Sequence, residues 1–192
     1  MIGISGITLG ILAGGRATRL GGCDKAWLER DGVPQVLRMS RRFASEVSGV
    51  LVSANHPDPR YRLLGLTVVA DRVSDAGPLC GLDALAAACS TSWLLTVPVD
   101  LVGVNECLVP TLIASAGDNG AFAQDDDGLQ PLVALWRIES LRCAVKEAMK
   151  ASEHAIQALQ ARMDMACVRF TGVRFGNLNT PADLMAAGIE TP

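Results

Sequence analysis

LAGGRATRLGGCDK, residues 12–25, is the stretch from which the fold of this chain can be predicted. The apolar run before it, residues 6–12, has the length and the β-branched content of a buried strand. The glycine pair at 14–15 ends that strand and leaves backbone N–H groups free to face an anion. Arg19 and Lys25 then place cationic side chains on the same glycine-rich loop. The stretch therefore predicts a strand followed by a loop that binds a polyphosphate.

Two common phosphate-binding motifs do not fit this loop. A P-loop needs Ser or Thr after its lysine, whereas Lys25 is followed by Ala26, and the G-x-G-x-x-G dinucleotide pattern is absent. The string instead resembles the L-A-G-G-x-x-x-R-[ML]-G-x-x-K signature of nucleotidyltransferases, and within them the molybdenum cofactor guanylyltransferases. A glycine-rich surface loop with scattered charges is the alternative, and this spacing argues against it.

Further segments resemble the family on the nucleotide side. Asn55 follows a second apolar run, residues 50–52, where the family carries an asparagine that contacts the nucleotide. A turn before Pro57 would explain the same asparagine equally well. Asp71 closes a third apolar run, and the segment GPLCG at 77–81 resembles the family's G-P-L-A-G, although a tight contact between helix and sheet would need the same small residues. The resemblance implies a GTP-binding set of Leu12, Ala13, Gly14, Gly15, Lys25, Asn55, Asp71, Gly77, Pro78, Leu79 and Asp100.

Asp100 is the candidate metal ligand. It follows the buried strand predicted at 93–97, and a carboxylate at a strand tip that faces an anion-binding loop suits Mg²⁺, which favours one or two carboxylates plus substrate oxygens. The family has P-x-D-x-P with a metal-binding aspartate. Pro98 and Asp100 match that pattern, but Val102 stands in place of the second proline. An isolated aspartate at a strand end would more often be a cap.

The acceptor side of the site is expected from two later segments. Gln130 and Pro131 enter an apolar strand as in the family, where this segment helps to form the acceptor side of the cleft. The C-terminal string NLNTPADL at 177–184 resembles the family's N-x-N-T-P-x-D-L segment. Its Thr-Pro-x-Asp part is explained as a helix start, whereas Asn177 and Asn179 remain candidates for metal or acceptor contacts.

Composition limits the class of protein. The chain has 192 residues, 49% of them hydrophobic, which predicts one globular domain over residues 1–192. The net charge of −3 gives no basic field, so nucleic acid is not an expected partner. No segment is expected to span a membrane, the first residues lack the features of a signal peptide, and the expected location is the cytoplasm.

The six cysteines form no C-x-x-C pair that would indicate zinc, and neither Cys23 nor His154 is assigned a role. Residues 118–128 are predicted to be a polar loop with three aspartates, 125–127, at its tip.

The expected fold is a three-layer α/β domain with a mostly parallel, Rossmann-like central sheet. The resemblance implies transfer of GMP from GTP to molybdopterin cofactor with release of pyrophosphate, Mg²⁺ as cofactor, and possible transient contact with cofactor-synthesis or molybdoenzyme proteins. Arg19 and Lys25 would hold the phosphates, Asp100 the Mg²⁺, and Asn55 and Asp71 the nucleoside. The alternatives are a cytidylyltransferase or sugar-1-phosphate nucleotidyltransferase of the same fold, and a non-catalytic nucleotide-binding regulator.

Overall fold

The computed structural model of the chain describes residues 2–14, 23–55, 58–72 and 77–189. The strands are β1 (Ile7–Leu12), β2 (Glu29–Arg30), β3 (Val33–Pro34), β4 (Gly49–Ser53), β5 (Thr67–Val69), β6 (Trp93–Pro98), β7 (Gly120–Asp125), β8 (Gly128–Arg137) and β9 (Ala166–Arg169). The helices are α1 (Gln35–Phe43), α2 (Pro59–Leu63), α3 (Pro78–Ala88), α4 (Leu108–Ser115), α5 (Ile138–Lys150), α6 (Ile156–Arg162) and α7 (Pro181–Ala186). None of the helices in these ranges is long and apolar enough to cross a membrane.

Seven of these strands form one sheet in the order β5-β4-β1-β6-β8-β7-β9. β1 pairs in parallel with β4 and β6, β4 with β5, and β7 with β9, whereas β8 is antiparallel to both of its neighbours. Six strands therefore run in one direction, and the prediction of a mostly parallel sheet is confirmed. The carboxyl ends of β1, β4, β5 and β6 meet at one edge of the sheet, where open α/β sheets bind their ligands.

Apolar layers cover both faces of the sheet. Because side chains alternate along a strand, Ile7, Leu9 and Ile11 of β1 all lie on one face, in a core cluster that includes α1 and α4. The other face carries a second cluster formed mainly by α3, α5 and α6. Fully buried Trp136 donates its indole N–H to Thr96 Oγ1 at 2.7 Å, so this polar group is satisfied inside the core. The three-layer arrangement is thus confirmed.

The prediction of a polar loop over 118–128 is wrong. Gly120–Asp125 forms β7, which pairs with β8 and β9, and only the segment between Asp125 and Gly128 is a hairpin tip. Ala121 and Ala123 are fully buried in this strand. The local signal was dominated by glycine, asparagine and aspartate, whereas strand pairing on both sides stabilises the extended backbone.

Candidate active site

Three side chains from distant parts of the chain meet at the carboxyl edge of the sheet. Lys25 Nζ donates to Asp100 Oδ2 and to Asn179 Oδ1, each at 2.7 Å. The side chains of Lys25 and Asp100 are only 16% and 18% exposed, so solvent weakens their attraction less than on an open surface. A cationic group is thereby fixed between a carboxylate oxygen and an amide oxygen.

A short 3-10 turn, Lys25–Trp27, presents the lysine. The Asp24 carboxylate caps the turn by accepting from the Ala26 N–H at 3.0 Å. At its other end the Trp27 ring packs against Tyr61, with ring centroids 4.6 Å apart. The Arg60 guanidinium lies 3.9 Å from the Trp27 ring centroid, a cation–π contact that further fixes the turn.

Asp58 completes the support of that turn. Its carboxylate accepts from the Arg60 side chain at 2.6 Å and from the Arg60 backbone N–H at 2.8 Å. These bonds, that from the side chain first, lower the pKa of Asp58. Sequence reasoning missed this support, because Asp58 and Arg60 lie outside every motif and α2 signals only a helix with a proline at its start.

The C-terminal segment positions Asn179 against the turn that follows β6 and carries Asp100. The Leu178 N–H donates to the Asp100 carbonyl at 3.0 Å, and the Val102 N–H donates to the Gly176 carbonyl at 2.9 Å. An isolated antiparallel bridge joins Leu101 to Asn177 between these bonds. A proline at 102 could not donate such a bond, so the valine that departs from the family pattern helps to hold the C-terminal segment.

The helix start predicted at Thr180 fixes Asn179 from the other side. Thr180 and Asp183 form a capping box at the start of α7, and Asp183 also accepts from the Asn179 N–H at 3.1 Å. The Thr180 side-chain bond, followed by the backbone bonds, lowers the pKa of Asp183. Asn179 therefore lies between two fixed points of the chain, the β-bridge of Asn177 with Leu101 and the helix cap formed by Thr180 and Asp183.

A second group of polar contacts lies at the ends of β1, β4 and β5. Asn55 Nδ2 donates to the Gly14 carbonyl at 2.7 Å, which ties the end of β4 to the start of the glycine-rich loop. Ser53 Oγ donates to Asp71 Oδ1 at 3.1 Å. Burial raises the pKa of Asp71, the Ser53 hydroxyl opposes that shift, and the charge of Asp83 adds to it. The predicted nucleoside residues Asn55 and Asp71 thus lie just past the carboxyl ends of two neighbouring strands, β4 and β5.

The segment GPLCG at 77–81 forms the start of α3 and packs tightly on this edge. Gly77 has φ +60° and ψ −142°, a conformation that favours glycine, and Pro78 occupies the first turn. The Leu79 side chain is fully buried. A Cβ on Gly81 would lie 2.7 Å from Ser53 Oγ and 2.8 Å from Leu12 Cδ2. The tight contact between α3 and the sheet is therefore present, and it explains the small residue at position 81 without a bound nucleotide.

The predicted acceptor-side residues separate into two places. Asn177 and Asn179 lie beside Asp100, as described above, whereas Gln130 donates to Asp125 Oδ2 at 3.2 Å. The Pro131 carbonyl accepts from Gln160 at 2.8 Å.

Asp125 is a buried structural carboxylate and not an exposed member of the acidic tip. Its side chain accepts from Gln130 and from the backbone N–H groups of Asp127, Gly128 and Phe175. Burial alone would raise the pKa of Asp125, but these bonds, the one from Phe175 foremost, hold the pKa below its usual value. Sequence patterns did not distinguish it from its two acidic neighbours.

The oxygen atoms around Lys25 fit a magnesium ion. Within the described ranges no cluster of three or more His, Cys, Asp or Glu side chains could hold a metal by itself. The Asp100 carboxylate and the Asn179 amide oxygen nevertheless converge on one cationic atom, Lys25 Nζ. Magnesium usually takes one or two carboxylates and completes its shell with phosphate oxygens and water, so this donor set suits it. Gly15 and Arg19 lie outside the described residues.

Comparisons with known proteins identify the family of the chain. Residues 9–168 match the model of the MobA-like NTP transferase domain. Proteins named molybdenum cofactor guanylyltransferase from Yersinia pseudotuberculosis and Yersinia pestis are 33% identical over 181 residues, which is 92% of this chain and 92% of theirs.

Solved structures of low sequence identity share the fold. The molybdopterin-guanine dinucleotide biosynthesis protein A of Archaeoglobus fulgidus superposes with a TM-score of 0.71 at 16% identity, over 94% of this chain and 96% of that one. The 2-C-methyl-D-erythritol 4-phosphate cytidylyltransferase of Thermus thermophilus gives 0.69 at 17% identity, over 93% and 96%. With the family model matched over most of its length and relatives matched nearly end to end, the chain belongs to the MobA-like NTP transferase family.

Proposed function

We propose that this protein is a guanylyltransferase that transfers GMP from GTP to the terminal phosphate of molybdopterin cofactor. An acceptor phosphate oxygen would form a bond to the α-phosphorus of GTP while the bond to the β-phosphate oxygen breaks, and pyrophosphate leaves. The observation that carries the proposal is the cluster of Lys25, Asp100 and Asn179 at the carboxyl edge, in a chain whose relatives bear that enzyme name.

This transfer requires alignment of the acceptor with the α-phosphate and neutralisation of charge on the phosphates, more than a reactive side chain. A phosphate is already an adequate nucleophile, so no covalent intermediate on the protein is required. Lys25 would neutralise negative charge on the phosphates, together with Arg19 and the N–H groups of Gly14 and Gly15. Asn55 and Asp71 would hold the nucleoside at the neighbouring strand ends.

Asp100 and Asn179 are the proposed ligands of Mg²⁺, which when bound would offset charge on the phosphate oxygens. Lys25 holds that position through the same two oxygens, so the ammonium would donate to the substrate phosphates once the ion is present. We further propose that the protein acts in the cytoplasm, in transient contact with the proteins that supply or collect the cofactor.

The decisive experiment follows pyrophosphate release from each nucleoside triphosphate in the presence of molybdopterin cofactor and Mg²⁺. We expect release with GTP and little with CTP or ATP. Preference for CTP would instead identify a cytidylyltransferase, turnover only with a sugar 1-phosphate would identify that class of enzyme, and nucleotide binding without release would identify a regulator.

Two variants test the assigned roles in the same assay. Lys25→Ala should lower turnover by about a hundredfold to a thousandfold, the effect of removing one preorganised electrostatic group. Asp100→Asn should abolish Mg²⁺-dependent turnover, since it removes the proposed ligand charge. Lys146→Ala, which removes an exposed lysine on α5, is the matched control and should stay within about twofold of wild type. Lys25→Ala activity near that of the control would remove Lys25 from the mechanism.

A further inference from the structure

A groove between α3 and α5 lies apart from the Lys25 cluster. Its volume is about 710 Å³, and four cationic residues line it: Arg72, Arg142, Lys146 and Lys150. Among the residues that the structure describes, Asp83 is the only acidic one in the lining, so this described lining carries a net positive charge on a chain whose net charge is −3. This concentration of charge on one face calls for a physical explanation.

Two of the four cations are already engaged within the protein. Arg72 donates to both carboxylate oxygens of Asp83, at 2.8 and 2.6 Å. Arg142 donates to the carbonyls of Ala86 and Cys89 at 2.9 and 2.7 Å, where it caps the C-terminal end of α3. These two arginines build the walls of the groove and leave its remaining charge to the lysines.

Lys146 and Lys150 are the cations available to a ligand. Both are exposed, and neither forms an ion pair or side-chain hydrogen bond with any other described residue. The whole chain contains only three lysines against fourteen arginines, and the third is Lys25. Both lysines outside the candidate active site therefore lie in this groove.

The spacing of the cations favours an extended anion over a compact one. Arg142, Lys146 and Lys150 lie four residues apart on one face of α5, so the row spans roughly 12 Å along the helix. A single phosphate group is too small to meet both ends of that row. Each lysine ammonium group is a mobile point charge without the fixed fork of arginine, so two of them along a helix can pair with carboxylates spaced along a segment.

The floor of the groove is apolar, so a ligand that fills the groove needs apolar groups as well as negative charge. Ala86, Ala87 and Met149 line it, so side chains of modest size could pack between the two cationic walls. An apolar floor with a charged rim is the usual anatomy of a protein interface. The groove thus offers both kinds of contact that a polypeptide segment would use.

The groove also opens at the catalytic edge. α3 starts at the carboxyl edge and runs away from it, whereas α5 follows the antiparallel β8 and returns towards that edge. Lys150 at the end of α5 and Arg72 directly after Asp71 therefore lie at the end of the groove nearest to the nucleoside residues. A partner seated there would approach the candidate active site without covering Lys25.

We propose that the groove between α3 and α5 docks an acidic polypeptide segment of a partner protein. Carboxylates of the segment pair with Lys146 and Lys150, and its apolar side chains pack on Ala86, Ala87 and Met149. Because the free cations are exposed, the attraction speeds association and weakens as salt increases. The proposal is independent of which nucleotide the active site uses.

Fluorescence anisotropy with a labelled peptide of alternating glutamate and leucine tests the docking. We expect binding that weakens with salt and that is about tenfold weaker for the double variant Lys146→Glu/Lys150→Glu. The double variant Arg41→Glu/Arg62→Glu changes net charge equally at exposed positions on α1 and α2, and it should bind as wild type does. Equal losses in both double variants, or no binding by the wild type, would overturn the proposal. Pyrophosphate release with free substrates should be the same in all three proteins, which separates docking from catalysis.

Acetylation of lysines, read by mass spectrometry, gives a second measurement because only three side chains can report. The glutamate–leucine peptide should protect Lys146 and Lys150 and leave the acetylation of Lys25, whose ammonium is largely buried and hydrogen-bonded, unchanged. Stronger protection of the same two lysines by tripolyphosphate or by phosphatidylserine vesicles would assign the groove to a small polyanion or a lipid surface and overturn the proposal. So would unchanged acetylation of Lys146 and Lys150 with the peptide.

Discussion

The Asp71 carboxylate is partly buried and accepts a hydrogen bond from the Ser53 hydroxyl. Its proposed role in recognising the base can be tested directly. Guanine offers two adjacent donors, its ring N–H and its amino group, which one carboxylate can accept, whereas adenine has no such pair. We expect Asp71→Ala to lower kcat/KM for GTP about a thousandfold more than kcat/KM for ATP, because the substitution removes hydrogen bonds that only guanine can make. Equal losses for both nucleotides would assign Asp71 to the ribose, the metal or the fold.

The pH dependence of the same reaction gives an independent measure of Asp71. Burial raises its pKa, and the carboxylate accepts both guanine donors only when ionised, so kcat/KM for GTP should fall as pH decreases through that raised pKa. Ser53→Ala removes the hydroxyl that opposes the shift and should move this limb to higher pH. Asp71→Asn should lack the limb altogether. A limb that persisted unchanged in Asp71→Asn would belong to another group.

Asp125 is expected to contribute to stability and not to catalysis. In the wild-type protein, backbone N–H groups donate to the Asp125 carboxylate. Asp125→Asn would place an amide N–H among these donors, so it should lower the free energy of unfolding at pH 7 by about 2–4 kcal/mol. Since the folded pKa lies below the unfolded value of about 3.9, the stabilisation is complete above that pH and is lost as pH falls towards the folded pKa. Urea unfolding at pH 7 and in acid measures both effects.

The neighbouring Asp127→Asn is the control for Asp125→Asn. Its side chain is half exposed and, among the described residues, pairs only with Arg174 at 3.7 Å, so its effect on unfolding should stay within about 0.5 kcal/mol. A cost for Asp127→Asn as large as that for Asp125→Asn would show that charge at the hairpin tip matters, and not the buried hydrogen bonds.

Among the elements, α3 depends on the small size of one residue where it meets the sheet. Gly81→Ala would force Ser53 or Leu12 to move, and Ser53 holds Asp71. We expect a loss of about 1–3 kcal/mol in the free energy of unfolding and a higher KM for GTP, measured by urea denaturation and by the pyrophosphate assay. Gly117→Ala is the matched control, because nothing lies within 4 Å of its added Cβ and the change should be nearly neutral. Equal effects of the two substitutions would contradict the proposed contact.

Elements with a strong local pattern could be predicted from the sequence, and those stabilised mainly by their neighbours could not. The apolar spacing of Val36, Met39, Phe43 and Val47 predicts a helix that ends at Gly49, since 3.6-residue periodicity is a local property. The helix is present as α1, but it already ends at Phe43. β7 was missed because its alanines and glycine carry little strand preference, and pairing on both sides decides its conformation. The support of Lys25 by Trp27 and Arg60 was missed for the same reason, since a cation–π contact between a 3-10 turn and the distant helix α2 leaves no periodic signal.

At the scale of the molecule, the sequence indicated candidates for the site but not which of them touch. Lys25, Asp100 and Asn179 were all singled out, yet the two hydrogen bonds that join them span 75 and 154 residues. Gln130 was singled out on the same grounds and bonds to the buried Asp125 instead. Only the strand order and the bridge from Leu101 to Asn177 decide between these outcomes.

The domain is expected to unfold as one cooperative unit, because both apolar layers share the strands of a single sheet. Its three tryptophans report on different regions: Trp27 supports the turn of Lys25, whereas Trp93 and Trp136 lie in the core. Urea transitions of variants that retain only Trp27 or only Trp136 should coincide with the loss of far-UV circular dichroism. A Trp27 signal that changed at lower urea would show that the site region opens separately.

The bridge between Leu101 and Asn177 also sets an order of events during synthesis on the ribosome. Chains begin to fold from their N-terminal part as they are made, so the strands around β1 can assemble before the segment around Asn179 has been translated. Lys25 and Asp100 then lack their third partner, because Asn179 and the backbone that holds it follow more than 75 residues after Asp100. A nascent chain can therefore have most of its sheet and still lack the completed cluster until this late segment has left the ribosome.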